Sequence, residues 1–171
     1  MGLRSAPDLQ IPLSVESASF RAIESVLKND PTLGPLLRHF SAWRDEDADL
    51  MEPEWGLCPY LRISPSPIES DWVTEGQHTG GFALNVQLAV QGTRIDNLMN
   101  FWAVVRNAIW PQDITASNAV AQKIRGAHQD IEGVTKPRIQ TSGFQPSEPD
   151  EMNRRMLIAA GSIFFPMLLR T

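Results

Sequence analysis

The stretch FALNVQLAVQ at residues 82–91, followed by IDNLMNFWAVVRNAIW at residues 95–110, decides the fold of this chain. In the first stretch, apolar side chains alternate without exception with small or amide side chains, which is typical of a β-strand with one buried face. In the second, apolar side chains recur at helical spacing. The two patterns predict a strand whose apolar face is covered by the following helix. The apolar positions are Phe82, Leu84, Val86, Leu88 and Val90 in the strand, and Ile95, Leu98, Met99, Trp102, Val105 and Ile109 in the helix.

Shorter patterns predict elements on both sides of this pair. A serine at a capping position and helical spacing after it predict an amphipathic helix from Ser14. The last predicted strand, residues 154–168, is apolar on both faces, which indicates a central place in a sheet. The other predicted elements are helices at 32–43 and around 117–126, strands at 59–64 and 137–144, and a long flexible connection at 68–81.

These elements predict an α+β fold. We expect a mostly antiparallel sheet of about four strands, with the N-terminal helices and one long helix packed on one face. Residues 1–13 contain two prolines among scattered polar positions and are expected to form an extended arm. Residues 14–171 are expected to form a single domain, since compact domains usually have about 100–200 residues.

Composition and charge exclude several classes of protein. The chain has 171 residues, 42% of them hydrophobic, and a formal net charge of -5, which argues against gripping nucleic acid through the whole surface. Cys58 is the one cysteine, so we interpret it as a small buried side chain at a strand edge and expect a reducing compartment. Residues 1–20 lack a signal-peptide pattern, and the apolar segment 156–169 is too short to span a bilayer. No membrane role is expected.

Residues with catalytic or ligand-binding chemistry do not form a motif in this sequence. The acidic residues within 45–54 lack the ligand spacing and central glycine of a calcium-binding EF-hand, so we interpret them as a solvated loop. None of the three histidines belongs to a metal-binding or catalytic motif. We expect no cofactor and no metal ion. One enzyme alternative stays open, a site within residues 65–81 assembled from His78, Asp71 and Glu75.

Seven residues are predicted to contact other proteins. Two tryptophans lie in predicted loops, and tryptophan is enriched at interface anchor points. The uncharged second face of strand 82–91 suits a protein contact or a ring interior, because a solvent face usually carries Lys or Glu. Two adjacent arginines near the C-terminus suit the acidic run of a neighbouring copy. The candidates are Trp55, Trp72, Asn85, Gln87, Gln91, Arg154 and Arg155.

The order of these segments resembles a known family. The first helix ends in Asn-Asp-Pro at residues 29–31, and Pro-Tyr-Leu-Arg-Ile begins a strand at residues 59–63. After the alternating strand comes a helix with the cadence DNLM at residues 96–99 and VVRNAI at residues 104–109. Over most of residues 15–168, this order is similar to that of the tail terminator (tail completion) proteins of long-tailed bacteriophages and related phage-tail-like particles.

The resemblance implies a structural virion protein and not an enzyme. Such a protein forms a homo-oligomeric ring, commonly a hexamer, which caps the head-proximal end of the tail tube, ends tube growth and provides the head-joining surface. The implied partners are further copies of the chain, the tail tube protein and a head-completion or neck protein, with DNA only passing through the lumen. The implied location is the virion tail, after assembly in the host cytoplasm. Exposed strand edges are able to pair between copies and close the ring. The alternative within the virion is another neck or head-completion component.

Overall fold

The structure is a computed structural model that describes residues 14–42, 54–66, 71–74 and 77–170, with the backbone alone described at 71–74 and 77–78. The predicted arm at residues 1–13 and the acidic run before Glu54 lie outside the described residues. The helices are α1 (Val15–Lys28), α2 (Leu33–Leu36), α3 (Ile95–Ile109) and α4 (Ile114–Arg125), with a 3-10 helix at Trp55–Leu57. The strands are β1 (His39–Ala42), β2 (Tyr60–Ser66), β3 (Asp71–Thr74), β4 (Gln77–Gln91), β5 (Ile131–Val134), β6 (Arg138–Pro146) and β7 (Met156–Arg170).

The strands form one mostly antiparallel sheet, which confirms the predicted α+β class. The order is β1-β2-β4-β7-β5, with β3 pairing with β4 and β6 pairing with β7. The β1–β2 pair is parallel, and the other described pairs are antiparallel. The prediction of about four strands is wrong, because the sheet has seven strands in the described part of the chain. The strands β1, β3 and β5 have four residues each, too few for an alternating pattern to stand out in the sequence.

The two longest strands form the centre of the sheet. β4 and β7 have 15 residues each and pair along their whole length, from Gln77 opposite Arg170 to Gln91 opposite Met156. β7 also pairs with β5 and β6 on its other side, which confirms the central place predicted from its two apolar faces. Among the described residues, no helix is long and apolar enough to cross a membrane.

One face of the sheet carries the main core. The five alternating positions of β4 from Phe82 to Val90 are at most 5% exposed, as predicted. Helix α1 covers one part of this face, where the Phe20 ring meets the Phe82 ring edge to face at 6.2 Å. Helix α3 covers another part, and Trp102 Nε1 donates a hydrogen bond to Thr141 Oγ1 at 3.1 Å. We call this side the helix face and the opposite side the open face.

Not all of the predicted face of α3 is buried. Leu98, Trp102, Val105 and Ile109 are at most 2% exposed, but Ile95 is 41% exposed and Met99 is 48% exposed. The helix therefore buries a narrower stripe than the sequence pattern predicts. The N-cap residue of this helix is Arg94, which makes no capping side-chain hydrogen bond.

The predicted start of α1 is confirmed, whereas most of the predicted second helix is wrong. Ser14 is the N-cap residue of α1, and its side chain accepts a hydrogen bond from the Ser17 N–H. At the start of α2, Asp30 Oδ1 accepts hydrogen bonds from the Thr32 N–H at 2.9 Å and from the Leu33 N–H at 2.7 Å. However, α2 ends at Leu36, and residues 39–42 form β1 instead of a helix. Pairing with β2 outweighs the helical spacing of this short apolar run.

The predicted long connection at 68–81 is wrong where the chain is described. Residues 71–74 form β3, and residues 77–81 extend β4 beyond its predicted start at Phe82. Gly81 has a packing reason in this strand, because a Cβ added to it would lie 2.3 Å from the Phe164 ring. A glycine inside a strand can mark such a close approach.

Candidate functional site

The centre of the open face carries a band of polar side chains. Residues directly opposite in an antiparallel pair share a face, so the register places these side chains together. Arg62 lies opposite Gln87, Ser64 lies opposite Asn85, and Asn85 also lies opposite Ser162 on β7. Ser162 in turn lies opposite Gln140 on the edge strand β6. We call Arg62, Ser64, Asn85, Gln87, Gln140 and Ser162 the polar band.

A shallow cleft of about 250 Å³ runs along this band. Asn85 is exposed and Gln87 is half-buried, so both amides reach the cleft surface. Arg62 is the one charged side chain among the residues that line the cleft, which are Arg62, Ser64, Asn85, Val86, Gln87, Ser142, Ala160 and Gly161. This composition offers many hydrogen-bond donors and acceptors at low charge density. It suits a surface that slides past or packs against a polar partner.

One end of the open face is closed by a second, smaller apolar cluster. Cys58, Tyr60 and Ala89 are at most 3% exposed there, with Leu57, Met156 and Ile158 packed around them. The ring of Tyr60 stacks on His39 with centroids 5.1 Å apart. Burial raises the pKa of the Cys58 thiol to about 11, so the thiol stays protonated near neutral pH. The interpretation of Cys58 as a buried side chain is confirmed, but no pattern in the sequence predicts the cluster as a whole.

Three of the predicted contact residues meet beyond this apolar cluster. The Gln91 side-chain amide donates to the backbone oxygen of Trp55. The guanidinium carbon of Arg154 lies 5.2 Å from the centroid of the Trp55 ring, a cation–π contact. Asp150 holds that guanidinium, with its Oδ2 2.7 Å from Arg154 Nη2 and 2.8 Å from Nε. The hydrogen bond from the Arg154 side chain is the main cause that lowers the pKa of Asp150. We call Trp55, Gln91, Asp150 and Arg154 the end cluster.

The end cluster borders an acidic groove of about 500 Å³. Its walls include the Trp55 ring and the side chains of Met152 and Met156, and Met152 is 73% exposed. The carboxylates that line it are Glu54, Glu148, Asp150 and Glu151, against the one cation Arg154. Arg154 and Arg155 are predicted to meet the acidic run of a neighbouring copy. Within one copy, Arg154 already forms an ion pair with Asp150.

The remaining predicted contact residues lie apart from the end cluster. Asn85 and Gln87 belong to the polar band, and Arg155 is exposed immediately before β7. Trp72 lies on β3, opposite His78 in the register with β4, and its side chain is outside the described residues. The seven residues thus fall into separate places on the molecule. Their contact with other proteins stays a prediction.

The residues of the enzyme alternative are only partly described. Asp71 lies on β3 opposite Thr79, and His78 lies on β4, each with the backbone alone described. Glu75 lies outside the described residues. Within residues 14–42, 54–66 and 79–170, no group of three or more His, Cys, Asp or Glu side chains is arranged to hold a metal ion.

A cavity of about 510 Å³, which no pattern in the sequence predicts, lies beside α4, β5 and the end of β7. The Arg170 Nε donates to Glu132 Oε1 at 2.8 Å, which joins the end of β7 to β5. His128 Nδ1 lies 3.5 Å from Asp130 Oδ2 and accepts a hydrogen bond from the Asp130 N–H at 3.2 Å. These two contacts hold His128 and Asp130 together in the turn before β5.

Comparisons with known proteins add a distant structural likeness. No protein-family model matches the sequence, and no curated protein matches it. Among solved structures, the chain is similar to a chain of the virion of a native gene transfer agent (GTA) particle. The likeness covers 91% of this chain and 98% of that chain, with a TM-score of 0.48 and 10% sequence identity. These values are too low to carry a functional conclusion.

Proposed function

We propose that this chain is a structural virion protein of the tail terminator kind, which forms a ring at the head-proximal end of a phage-like tail tube. The observation that carries the proposal is the open face, where a nearly uncharged polar band crosses the centre of a large sheet. An ordinary solvent face of a sheet carries more Lys and Glu. The segment order on which the resemblance rests is supported by the observed order of α1, β2, β4 and α3.

In this proposal the open face is the lumen surface of the ring. DNA passing through a lumen needs a wall that hydrates the duplex without holding its phosphates, because phosphate affinity grows with each Lys or Arg that contacts them. Asn85 and Gln87 supply amides without charge, and Arg62 is the one cation of the polar band. The helix face then points away from the lumen, and the two ends of the sheet are left for the tail tube protein and the neck protein.

The ring itself is tested by mixing the purified chain with tail tube protein. Negative-stain microscopy is expected to show a cap at one end of the tubes, and mass measurement is expected to show a closed oligomer of the chain. Deleting the gene is expected to give tails of abnormal length. A chain that stays monomeric and leaves tube ends bare, together with tails of normal length, would refute the terminator function. A ring found in the neck, away from the tube end, would instead favour the neck-component alternative.

The lumen assignment has its own test. Asn85→Lys adds one cation per copy to the polar band, and Asn118→Lys makes the same change at an exposed position of α4 on the other side of the molecule. Particles with Asn85→Lys are expected to have normal tail length and slowed DNA ejection, whereas Asn118→Lys is expected to behave as wild type. Equal ejection by the two variants would contradict the assignment.

The enzyme alternative predicts a different outcome at His78. Under the proposed function, His78→Ala is expected to leave tail length and infectivity close to wild type. A loss of particle formation with an unchanged amount of folded protein would favour a chemical role for His78.

A further inference from the structure

We propose that neighbouring copies of this chain join edge to edge, with β6 of one copy pairing antiparallel with β1 of the next. The inference rests on the proposed ring and names the surface that closes it. β6 and β1 border the sheet on its two sides, and within the described residues neither has a strand on its outer side. An unpaired strand edge offers a row of backbone donors and acceptors to another chain.

The outward-pointing backbone groups of β6 can be identified from one hydrogen bond. The Ser147 N–H donates to the Met156 backbone oxygen at 2.8 Å, so this pair faces β7. Along an antiparallel pair, residues whose backbone N–H and C=O point toward the partner strand alternate with residues whose backbone groups point away from it. Counting back in the observed register, Gln145 faces β7 and the N–H and C=O of Phe144 point outward. Pro146 has no N–H to offer.

The outward groups of β1 follow from its bond to β2. The His39 N–H donates to the Pro59 backbone oxygen at 3.2 Å. In a parallel pair, alternate residues of a strand bond to the same neighbour. His39 and Ser41 therefore face β2, whereas Phe40 and Ala42 point their backbone groups outward. The two free edges thus offer matching positions, Phe144 on one side and Phe40 on the other.

Strand directions favour this pairing over a random contact. Along the sheet, β1, β2 and β7 run one way, and β4 and β6 run the other. A rotation that places copies side by side in a ring keeps direction and face, so β6 meets the next β1 in the antiparallel sense. Phe144 and Phe40 are both half-buried against the main core, on the helix face. Opposite one another across the contact, they would form an aromatic cross-strand pair and continue the core from copy to copy.

Charges at the strand ends fit the same register. With Phe144 opposite Phe40, Arg38, which precedes β1, comes beside Glu148, which follows the end of β6. Both side chains are exposed, and neither is used in an ion pair among the residues that the structure describes. A two-fold contact between two β6 strands would not use Arg38 and would give a closed dimer.

Matched substitutions test the pairing. Proline at position 144 or 40 removes an outward N–H without removing a bond of the internal ladder, whereas alanine removes the same ring and keeps the N–H. We expect Phe144→Pro and Phe40→Pro to be folded monomers by native mass spectrometry and circular dichroism, and Phe144→Ala and Phe40→Ala to assemble. Proline variants that assemble as well as the alanine variants would overturn the pairing. A wild-type dimer that Phe144→Pro splits and Phe40→Pro does not would assign the edge to a two-fold contact instead.

A charge exchange keeps the inference testable if the proline variants do not fold. Arg38→Glu and Glu148→Arg are each expected to raise the dissociation constant of the oligomer about three- to fivefold, as one exposed ion pair does. The double variant is expected to restore the wild-type value. Absence of that rescue would contradict the register.

The same measurements separate this inference from the proposed function. A ring that caps tubes and survives both proline substitutions refutes the edge pairing and leaves the terminator function standing. A ring that depends on both edges but leaves tube ends bare supports the pairing and refutes the function. A wild-type chain that is monomeric even with tube protein refutes both.

Discussion

Replacing Gly161 with alanine tests how tightly β7 packs beneath α3. Gly161 is buried on the helix face, and an added Cβ would lie 2.9 Å from Cζ2 of the Trp102 indole and 2.8 Å from the Gln140 backbone oxygen. Such distances require a shift of the neighbouring atoms. The indole has little freedom to move, because Trp102 is 2% exposed and its Nε1 donates to Thr141. We therefore expect this methyl group to destabilise the fold.

The size of the effect follows from two opposing terms. Overpacking a core costs about 1–3 kcal/mol, whereas replacing glycine by alanine gains about 0.4–1 kcal/mol through the unfolded chain. We expect a net loss of about 1–2 kcal/mol, which lowers the melting temperature of a chain of this size by about 2–8 °C. Thermal and urea unfolding followed by circular dichroism measure both quantities.

Gly133→Ala is the matched control, because the nearest atom to its added Cβ is Leu168 Cβ at 3.8 Å, an ordinary contact. We expect this variant to be as stable as wild type or slightly more stable. If Gly161→Ala proves as stable as Gly133→Ala, then the close packing of Trp102 against β7 is wrong.

Three further predictions concern single groups. Ser14→Ala removes the acceptor for the Ser17 N–H and is expected to cost about 1 kcal/mol in the free energy of unfolding, measured by urea titration. Arg154→Ala is expected to raise the pKa of Asp150 back toward its ordinary value of 3.8, measured by NMR titration of the carboxyl. Because that pKa is lowered in the folded state, the stabilisation is present above the ordinary value and is lost as the pH falls through the lowered one. A thiol reagent at pH 8 is expected to modify Cys58 much more slowly in the folded protein than in urea, since burial raises its pKa to about 11; equal rates would contradict that burial.

Long periodic segments made the centre of the fold predictable. The strand at residues 82–91 alternates over ten residues, and the helix after it repeats over four turns, so both could be predicted without tertiary information. Ser14 likewise marks the start of α1 by a local hydrogen bond. In each case, the pattern or hydrogen bond that predicts the element involves only residues of that element or its cap.

The short strands could not be predicted because their partners are distant in sequence. Residues 39–42 form a strand only by pairing with residues 60–63, and their apolar spacing taken alone favours a helix. The predicted long connection at 68–81 includes Gly81, but Gly81 lies in β4, where the Phe164 ring passes over it. In both cases the deciding contact is with a residue that is distant in the sequence, so the local sequence pattern cannot indicate it.

The candidate site shows which features the two-residue alternation of a β-strand predicts and which it does not. Alternation correctly grouped Asn85, Gln87 and Gln91 on one face, but it carries no information on what covers that face. Between Gln87 and Gln91 lies Ala89, which is fully buried in the second apolar cluster. Gln91 is therefore cut off from the polar band, and its amide binds the Trp55 backbone instead.

Because Gln91 is separated from the polar band, a smaller part of the open face is expected to contact a partner or passing DNA. The polar band ends where the second apolar cluster begins, so the proposed lumen contact would fall on Asn85 and Gln87, while Gln91 and Trp55 belong to one end of the sheet. Changes at the two places should then separate. Asn85→Lys is expected to alter DNA passage with normal tail length, whereas Trp55→Ala removes the ring that Arg154 covers at the edge of the acidic groove and is expected to weaken binding to a protein partner. If Trp55→Ala changed DNA ejection in the same way as Asn85→Lys, without affecting assembly, the open face would have to be treated as one continuous surface.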